Sequence, residues 1–169
     1  MDIETTGLSP EECAILEIGL IVTTPELKEV ARGSWVCRPS RPAPITSIDP
    51  YVWDMHKRNG LWDEVFLVER TLAEVETAAV DFMSRYDAIY SPMAGSSVQF
   101  DRTFLKAQAP ALHDKFHYRN LDVSSVRNFI LMFFPEIEDS RPKLDAPHRS
   151  LGDLENSINT LRYYAEALR

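Results

Sequence analysis

Five side chains in this sequence are of the types that hydrolyse phosphodiesters: Asp2, Glu4, Asp101, His148 and Asp153. Asp2 and Glu4 stand two apart, so a strand there would project both carboxylates from one face. Carboxylates held together repel, and burying them is unfavourable unless a cation joins them. Magnesium and manganese favour such oxygen ligands. Alone, an Asp-x-Glu pair is also a common feature of exposed strand ends. Asp101 opens a helix after GSSVQF, where the helix dipole by itself favours an acidic residue. His148 precedes the last helix and Asp153 lies in its first turns. Alone, that spacing is more often a solvated pair than a site. Jointly the five match a known division of labour: two divalent ions about 4 Å apart clamp the phosphate, and one of them acidifies a water. The histidine takes the proton from that water as general base.

The elements that must position these groups follow from periodicity. Residues 14–23 (AILEIGLIVT) are apolar on both alternating faces except at Glu17, the pattern of a strand buried on both sides. That lone carboxylate calls for a satisfying partner rather than a catalytic role. Residues 29–37 read as an antiparallel neighbour, joined through a short turn near Pro25. Thr71 and Glu74 form a capping-box pattern, and Leu72, Val75, Ala79, Phe82 and Tyr86 follow at helical spacing. Residues 88–90 are a candidate short strand, 100–108 a helix and 120–123 a second short strand, with a helix from there to Phe133. Leu151, Leu154, Ile158, Leu161, Ala165 and Leu168 form one stripe on a helix from about 149 onward. The Pro- and Ser-rich residues 38–50 read as a surface loop. Strands first, then alternating helices and strands, predict an α/β architecture: a mixed β-sheet flanked by helices on both faces. The 169 residues suit one domain.

The net charge of −8 argues against a protein that coats long nucleic acid, because such binders gain affinity from clustered Lys and Arg. An acidic chain can still act on nucleotides where bound cations supply positive charge locally. No apolar run is long enough for a membrane span, and the opening residues lack the pattern of a signal peptide. Cys13 and Cys37 are far apart with no CxxC partner, which predicts free thiols in a reducing cytoplasm rather than a zinc site.

The segments DIETTGL, MHKRNGLW, AGSSVQFDRTFL, FHYRNLDVSS and HRSLGDLENSINTLRYY together resemble the oligoribonucleases, DEDDh-type exonucleases with a ribonuclease-H-like fold. DIETTGL alone fits many proofreading-type exonucleases; the last two segments are the oligoribonuclease-like ones. The resemblance covers nearly the whole chain. It implies a cytoplasmic, homodimeric 3′→5′ exoribonuclease that uses two divalent cations, Mg²⁺ or Mn²⁺, on short single-stranded RNA of roughly two to five nucleotides. It implies Asp2, Glu4, Asp101 and Asp153 as metal ligands and His148 as general base. Leu8 resembles a wedge between two bases, and Tyr51 an aromatic stacking residue. His56, Ser97, Arg119 and Ser124 fall where the family contacts substrate, Arg119 and Ser124 near the 5′ phosphate. Tyr118 resembles the residue lent to the neighbouring active site by a second subunit. Read without the resemblance, Leu8 is a turn-flanking core residue, Tyr51 and Tyr118 are packing aromatics, and Ser97 and Ser124 are helix caps. His113 and His117 have no assigned role.

Two other readings compete. A proofreading or RNA-trimming exonuclease would need a basic track for longer strands, and a non-catalytic module of the same fold would have lost a ligand or the histidine. The sequence also departs from the family pattern. Met1 stands immediately before Asp2, where family members carry several more apolar residues, so the first strand is expected to be shortened. Ser96 replaces the usual asparagine, Gly152 precedes Asp153, and Pro147 precedes His148.

Overall fold

The computed structural model describes residues 1–39, 48–145 and 148–169. Most of the expected loop at 38–50, and Pro147, lie outside the described residues. Three strands form an antiparallel sheet in the order β1 (Asp2–Thr5), β2 (Ile15–Thr23), β3 (Glu29–Val36). A parallel pair is formed by β4 (Pro92–Gly95) and β5 (His117–Asp122). The two sheets meet where the Met1 nitrogen donates to the Ala94 carbonyl at 2.8 Å. Gly95 permits that approach, since a Cβ there would lie 2.6 Å from the Met1 carbonyl oxygen. The expected mixture of antiparallel and parallel pairing is therefore present.

β2 is central because it has partners on both edges: Glu4 lies opposite Glu17 on one side, and Glu17 opposite Val36 on the other. Alternation sends its neighbours to opposite faces. Ile18 and Leu20 enter the main core with Val75, Ala79 and Met83 of α3 (Leu72–Arg85), the four larger side chains contributing about 1.5–3 kcal/mol each by leaving water. Glu17 and Gly19 face the last helix, α8 (Ser150–Ala167). Helices therefore cover both faces of the sheet.

The capping box holds: the Thr71 Oγ1 accepts from the Glu74 nitrogen at 3.3 Å, and the Glu74 carboxylate accepts from the Thr71 nitrogen at 2.8 Å. Between β3 and α3 lie α1 (Pro50–Arg58) and α2 (Leu61–Leu67), which periodicity did not predict. α1 begins on Pro50, capped by Asp49 accepting from the Tyr51 nitrogen at 2.7 Å. Trp53, Trp62 and Phe66 stack between the two helices. Between β4 and β5 run α4 (Val98–Gln108) and the short α5 (Pro110–His113). After β5 come α6 (Val123–Phe133) and the short α7 (Pro135–Asp139).

Three expectations shift. The strand expected at 88–90 lies instead at Pro92–Gly95. Asp87 and Tyr90 take left-handed backbone angles (φ 54° and 64°) and turn the chain; Pro92 fits a strand's first position. The strand expected at 120–123 begins at His117 and is mostly solvent-facing, so burial did not mark it. On α8 the expected stripe holds in part: Leu154 is buried and Leu151, Ile158 and Leu161 are half-buried, but Ala165 and Leu168 are exposed, and Ser150, Ser157, Thr160 and Tyr164 are buried beside Leu154. Small residues are needed there because α8 crosses β2 so closely that a Cβ on Gly19 would collide with Ser150.

Candidate active site

β1 projects Asp2 and Glu4 from one face, and the first turn of α8 brings Asp153 to meet them. One carboxylate oxygen from each lies within 4.8 Å of the others. Asp101, from the first turn of α4, is 3% exposed and accepts from the Ile3 nitrogen at 2.9 Å. It is thereby fixed to the backbone between Asp2 and Glu4 and repels Asp2.

Proton affinities record how this cluster is strained. Burial, then Asp101, Glu4 and Asp153, holds the Asp2 carboxyl well above the usual range. Burial, then Asp153 and Glu17, pushes Glu4 up to about 8, with Arg149 opposing. Burial pushes Asp101 up to about 6 against the Met1 amine and backbone donors. Burial raises Asp153 against the pull of His148. All four departures have one sign, the response of carboxylates taken out of water without a sufficient counter-charge. Oxygen donors converging in this way fit a divalent cation.

His148 is half-buried and shares a cleft of about 420 Å³ with Asp2 and Asp153. Its backbone is left-handed (φ 50°), uncommon for a residue with a side chain. Such conformations persist where their surroundings hold them. Here the Asn59 amide donates to the His148 carbonyl, and Arg149 is tied to Glu17 and Glu64.

The same cleft is lined by Ser96, Ser124, Asn156, Arg127 and Arg141. Both arginines are anchored on Glu138, Arg127 at 2.8 Å and Arg141 at 3.1 Å, and the Tyr164 hydroxyl also donates to it. Burial works against that carboxylate's charge, but Arg141, Tyr164 and Arg127 hold it down at about 2. One carboxylate thus carries two guanidiniums, and a net positive charge faces a cleft that also holds the acidic cluster. Sequence spacing gave no sign of this grouping.

The remaining expected contacts divide. The Ser97 and Ser124 hydroxyls are 3.1 Å apart, with Ser124 in the cleft and Ser97 capping α4 at φ 57°. Leu8 and Tyr51 are exposed, at 82% and 65%. Tyr118 and Arg119 lie on exposed β5, the Arg119 guanidinium 5.4 Å from the Tyr118 ring centre. His56 has no exposed surface: its Nε2 is 3.0 Å from the Thr5 carbonyl and 3.9 Å from Glu4 Oε2. It supports the Glu4 strand from behind. Burial lowers its pKa, which favours a neutral ring there.

The exonuclease family model (RNase T) matches residues 1–161. An oligoribonuclease of Legionella pneumophila (strain Corby) is 36% identical over 167 residues, covering 98% of this chain and 89% of that protein. The chain belongs to the exonuclease family, among the oligoribonucleases. The oligoribonuclease of Shewanella loihica is 37% identical, covering 98% of this chain and 92% of its own length. That of Nocardia farcinica is 34% identical, covering 97% and 77%. Exonuclease I from Methylocaldum szegediense matches in structure with a TM-score of 0.66 at 16% identity, covering 98% of this chain and 39% of that one. A second exonuclease I structure gives 0.65 at 16% identity, with 40% of its length covered. The fold is therefore ribonuclease-H-like, as the sequence led us to expect. Among the described residues, no helix of this oligoribonuclease-family chain is long and apolar enough to cross a membrane.

Proposed function

We propose that this chain is a 3′→5′ exoribonuclease of short RNA, working as a single catalytic domain with two divalent cations, Mg²⁺ or Mn²⁺. The observation that carries the reading is the convergence of Asp2, Glu4 and Asp153, two of which, Asp2 and Asp153, share a cleft with His148. Asp2, Glu4, Asp101 and Asp153 would hold the ions. Bound there, the ions supply an acidified water and charge neutralisation at the phosphate.

The protein's own groups do the rest. His148 accepts the proton of the attacking water as its oxygen bonds to phosphorus. The bond from phosphorus to the 3′ oxygen breaks, and that oxygen takes a proton from solvent and leaves as the new chain end. The released product is a nucleoside 5′-monophosphate. Arg127 and Arg141 offer positive charge to the remaining substrate phosphates, and Ser97 and Ser124 offer hydroxyls.

A homodimer is supported by exposed apolar side chains on β5 and α6: Tyr118, Leu121, Phe129, Met132 and Phe133 are all at least 40% exposed. Exposed apolar side chains suit an interface, and in the proposed dimer Tyr118 serves the neighbouring subunit's site.

The test is a 5′-labelled seven-residue RNA incubated with Mn²⁺, Mg²⁺ or chelator. The proposal predicts a ladder of shortened labelled products, in metal only. Immediate release of a labelled mononucleotide would show the opposite polarity and refute it.

A further inference from the structure

Glu17 is the carboxylate that the sequence left without a role. It lies near the start of β2, opposite Glu4, and is 2% exposed. A carboxylate so close to the cluster is a candidate ligand, but its acceptor positions are taken. Oε1 accepts from the Ser34 hydroxyl at 2.5 Å and Arg149 Nη2 at 3.1 Å; Oε2 accepts from Arg149 Nε at 3.1 Å and the Ser150 nitrogen at 3.2 Å. Two oxygens offer about four lone-pair sites, so none is left for a cation.

The identity of the donors matters. Arg149 and Ser150 directly follow His148, and the Arg149 carbonyl accepts from the Asp153 nitrogen at 3.0 Å in the first turn of α8. The remaining Arg149 donor, Nη1, reaches Glu64 of α2 at 2.7 Å. From the other side, Asn59 holds the His148 carbonyl. Three consecutive residues, one of them left-handed, are therefore gripped from β2, α2 and the end of α1.

We propose that Glu17 is the positioning residue of the site: through Arg149 and Ser150 it locks His148 and the start of α8 over the β1 carboxylates. The inference rests on the roles given to His148 and Asp153 above. Glu17 touches no reacting atom. It works because a bidentate guanidinium–carboxylate pair fixes orientation as well as distance. A misplacement of about 1 Å can cost a hundredfold in rate.

The test compares Glu17→Gln, Arg149→Gln and Arg149→Lys with wild type in two assays, RNA cleavage with Mn²⁺ and amide hydrogen exchange over residues 148–153. Glu17→Gln preserves shape but removes the charged fork. The expected result is a kcat reduced by roughly ten- to a hundredfold, with KM changed less than about threefold. Exchange at the Ser150 amide should quicken by about tenfold or more while the amides of β3 are unchanged. Arg149→Lys should behave like Arg149→Gln, because lysine keeps the charge and loses the fork. Unaltered exchange at 148–153, or a kcat within about twofold of wild type in either folded Gln variant, would overturn the proposal. So would full function in Arg149→Lys, which would reduce the pair to simple charge. Should Glu17→Gln fail to fold, the two Arg149 variants carry the same comparison. If the wild type cleaves no RNA, the functional reading fails, and the exchange data still decide whether the lock exists.

Discussion

Glu4→Gln should flatten the pH dependence of stability of the metal-free protein. Glu4 is 8% exposed, and burial, Asp153 and Glu17 raise its pKa from an ordinary 4.5 to about 8. Between those values the unfolded chain has lost the proton while the folded one keeps it. Unfolding then releases a proton, so stability falls as pH rises until the folded pKa is passed. From about pH 6 to about pH 8 the slope is about 1.4 kcal/mol per pH unit, or roughly 2–3 kcal/mol in total. For a chain of this length that lowers Tm by about 5–10 °C. Asp101, raised to about 6, adds to the fall at the start of this range, the raised Asp2 and Asp153 carboxyls act in the same direction, and Glu138, held at about 2, titrates in acid. The Met1 amine and His56, both lowered by burial, oppose the trend over part of this range. The difference between wild type and Glu4→Gln carries the Glu4 contribution together with the relief of Asp2, whose carboxyl Glu4 also helps to hold up. Thermal unfolding followed by circular dichroism in chelator at three pH values measures it. Glu4→Gln should be the more stable protein at the alkaline end. Adding Mn²⁺ should then favour wild type, by about 2.7 kcal/mol at a hundredfold excess over Kd. Parallel Tm curves for the two proteins in chelator would refute the reasoning.

Three further outcomes are expected. Asp101→Asn keeps an acceptor for the Ile3 nitrogen but removes one of the carboxylate charges, so kcat should fall by about a hundredfold or more with folding intact; activity within about tenfold of wild type would exclude Asp101 from the metal set. Tyr118→Ala should lose activity on a dinucleotide while keeping Mn²⁺ affinity, measured by calorimetry; unchanged turnover would exclude a role for Tyr118 in a neighbour's site. Arg127→Ala should raise KM by roughly tenfold with kcat nearly unchanged, the signature of a lost charged contact in a partly exposed cleft; an unchanged KM would show that substrate phosphates lie elsewhere.

What could be read from the sequence followed the length scale of each cause. Asp2 and Glu4 sit two apart on a strand, so their shared face is a local fact, and the structure places their oxygens together with that of Asp153. β2 announced itself through apolar runs on both faces, and α3 through its capping box, because both signals lie within a few residues. The partner expected for Glu17 exists, but Arg149 is 132 residues away and no local pattern names it. The Arg127–Glu138–Arg141 grouping is closer in sequence, but Arg127 and Glu138 sit on separate helices, α6 and α7, and only the packing of those helices brings them together. The buried face of α8 was read only in part because hydrophobicity marks transfer from water, whereas the approach to Gly19 selects for size at Ser150 and the cleft takes polar residues at Ser157 and Thr160. His56 illustrates the converse. The family resemblance suggested contact with substrate, and only the packing shows it enclosed beside Glu4.

The central claim, metal-dependent hydrolysis of very short RNA, is tested most directly with an RNA dinucleotide. The protein is incubated with it in Mn²⁺ and in chelator, and the products are separated by liquid chromatography. The account predicts equal amounts of nucleoside 5′-monophosphate and the shortened partner in Mn²⁺, faster than from a seven-residue RNA, and none in chelator. An intact dinucleotide alongside efficient cleavage of the longer RNA, or cleavage that persists in chelator, would contradict it.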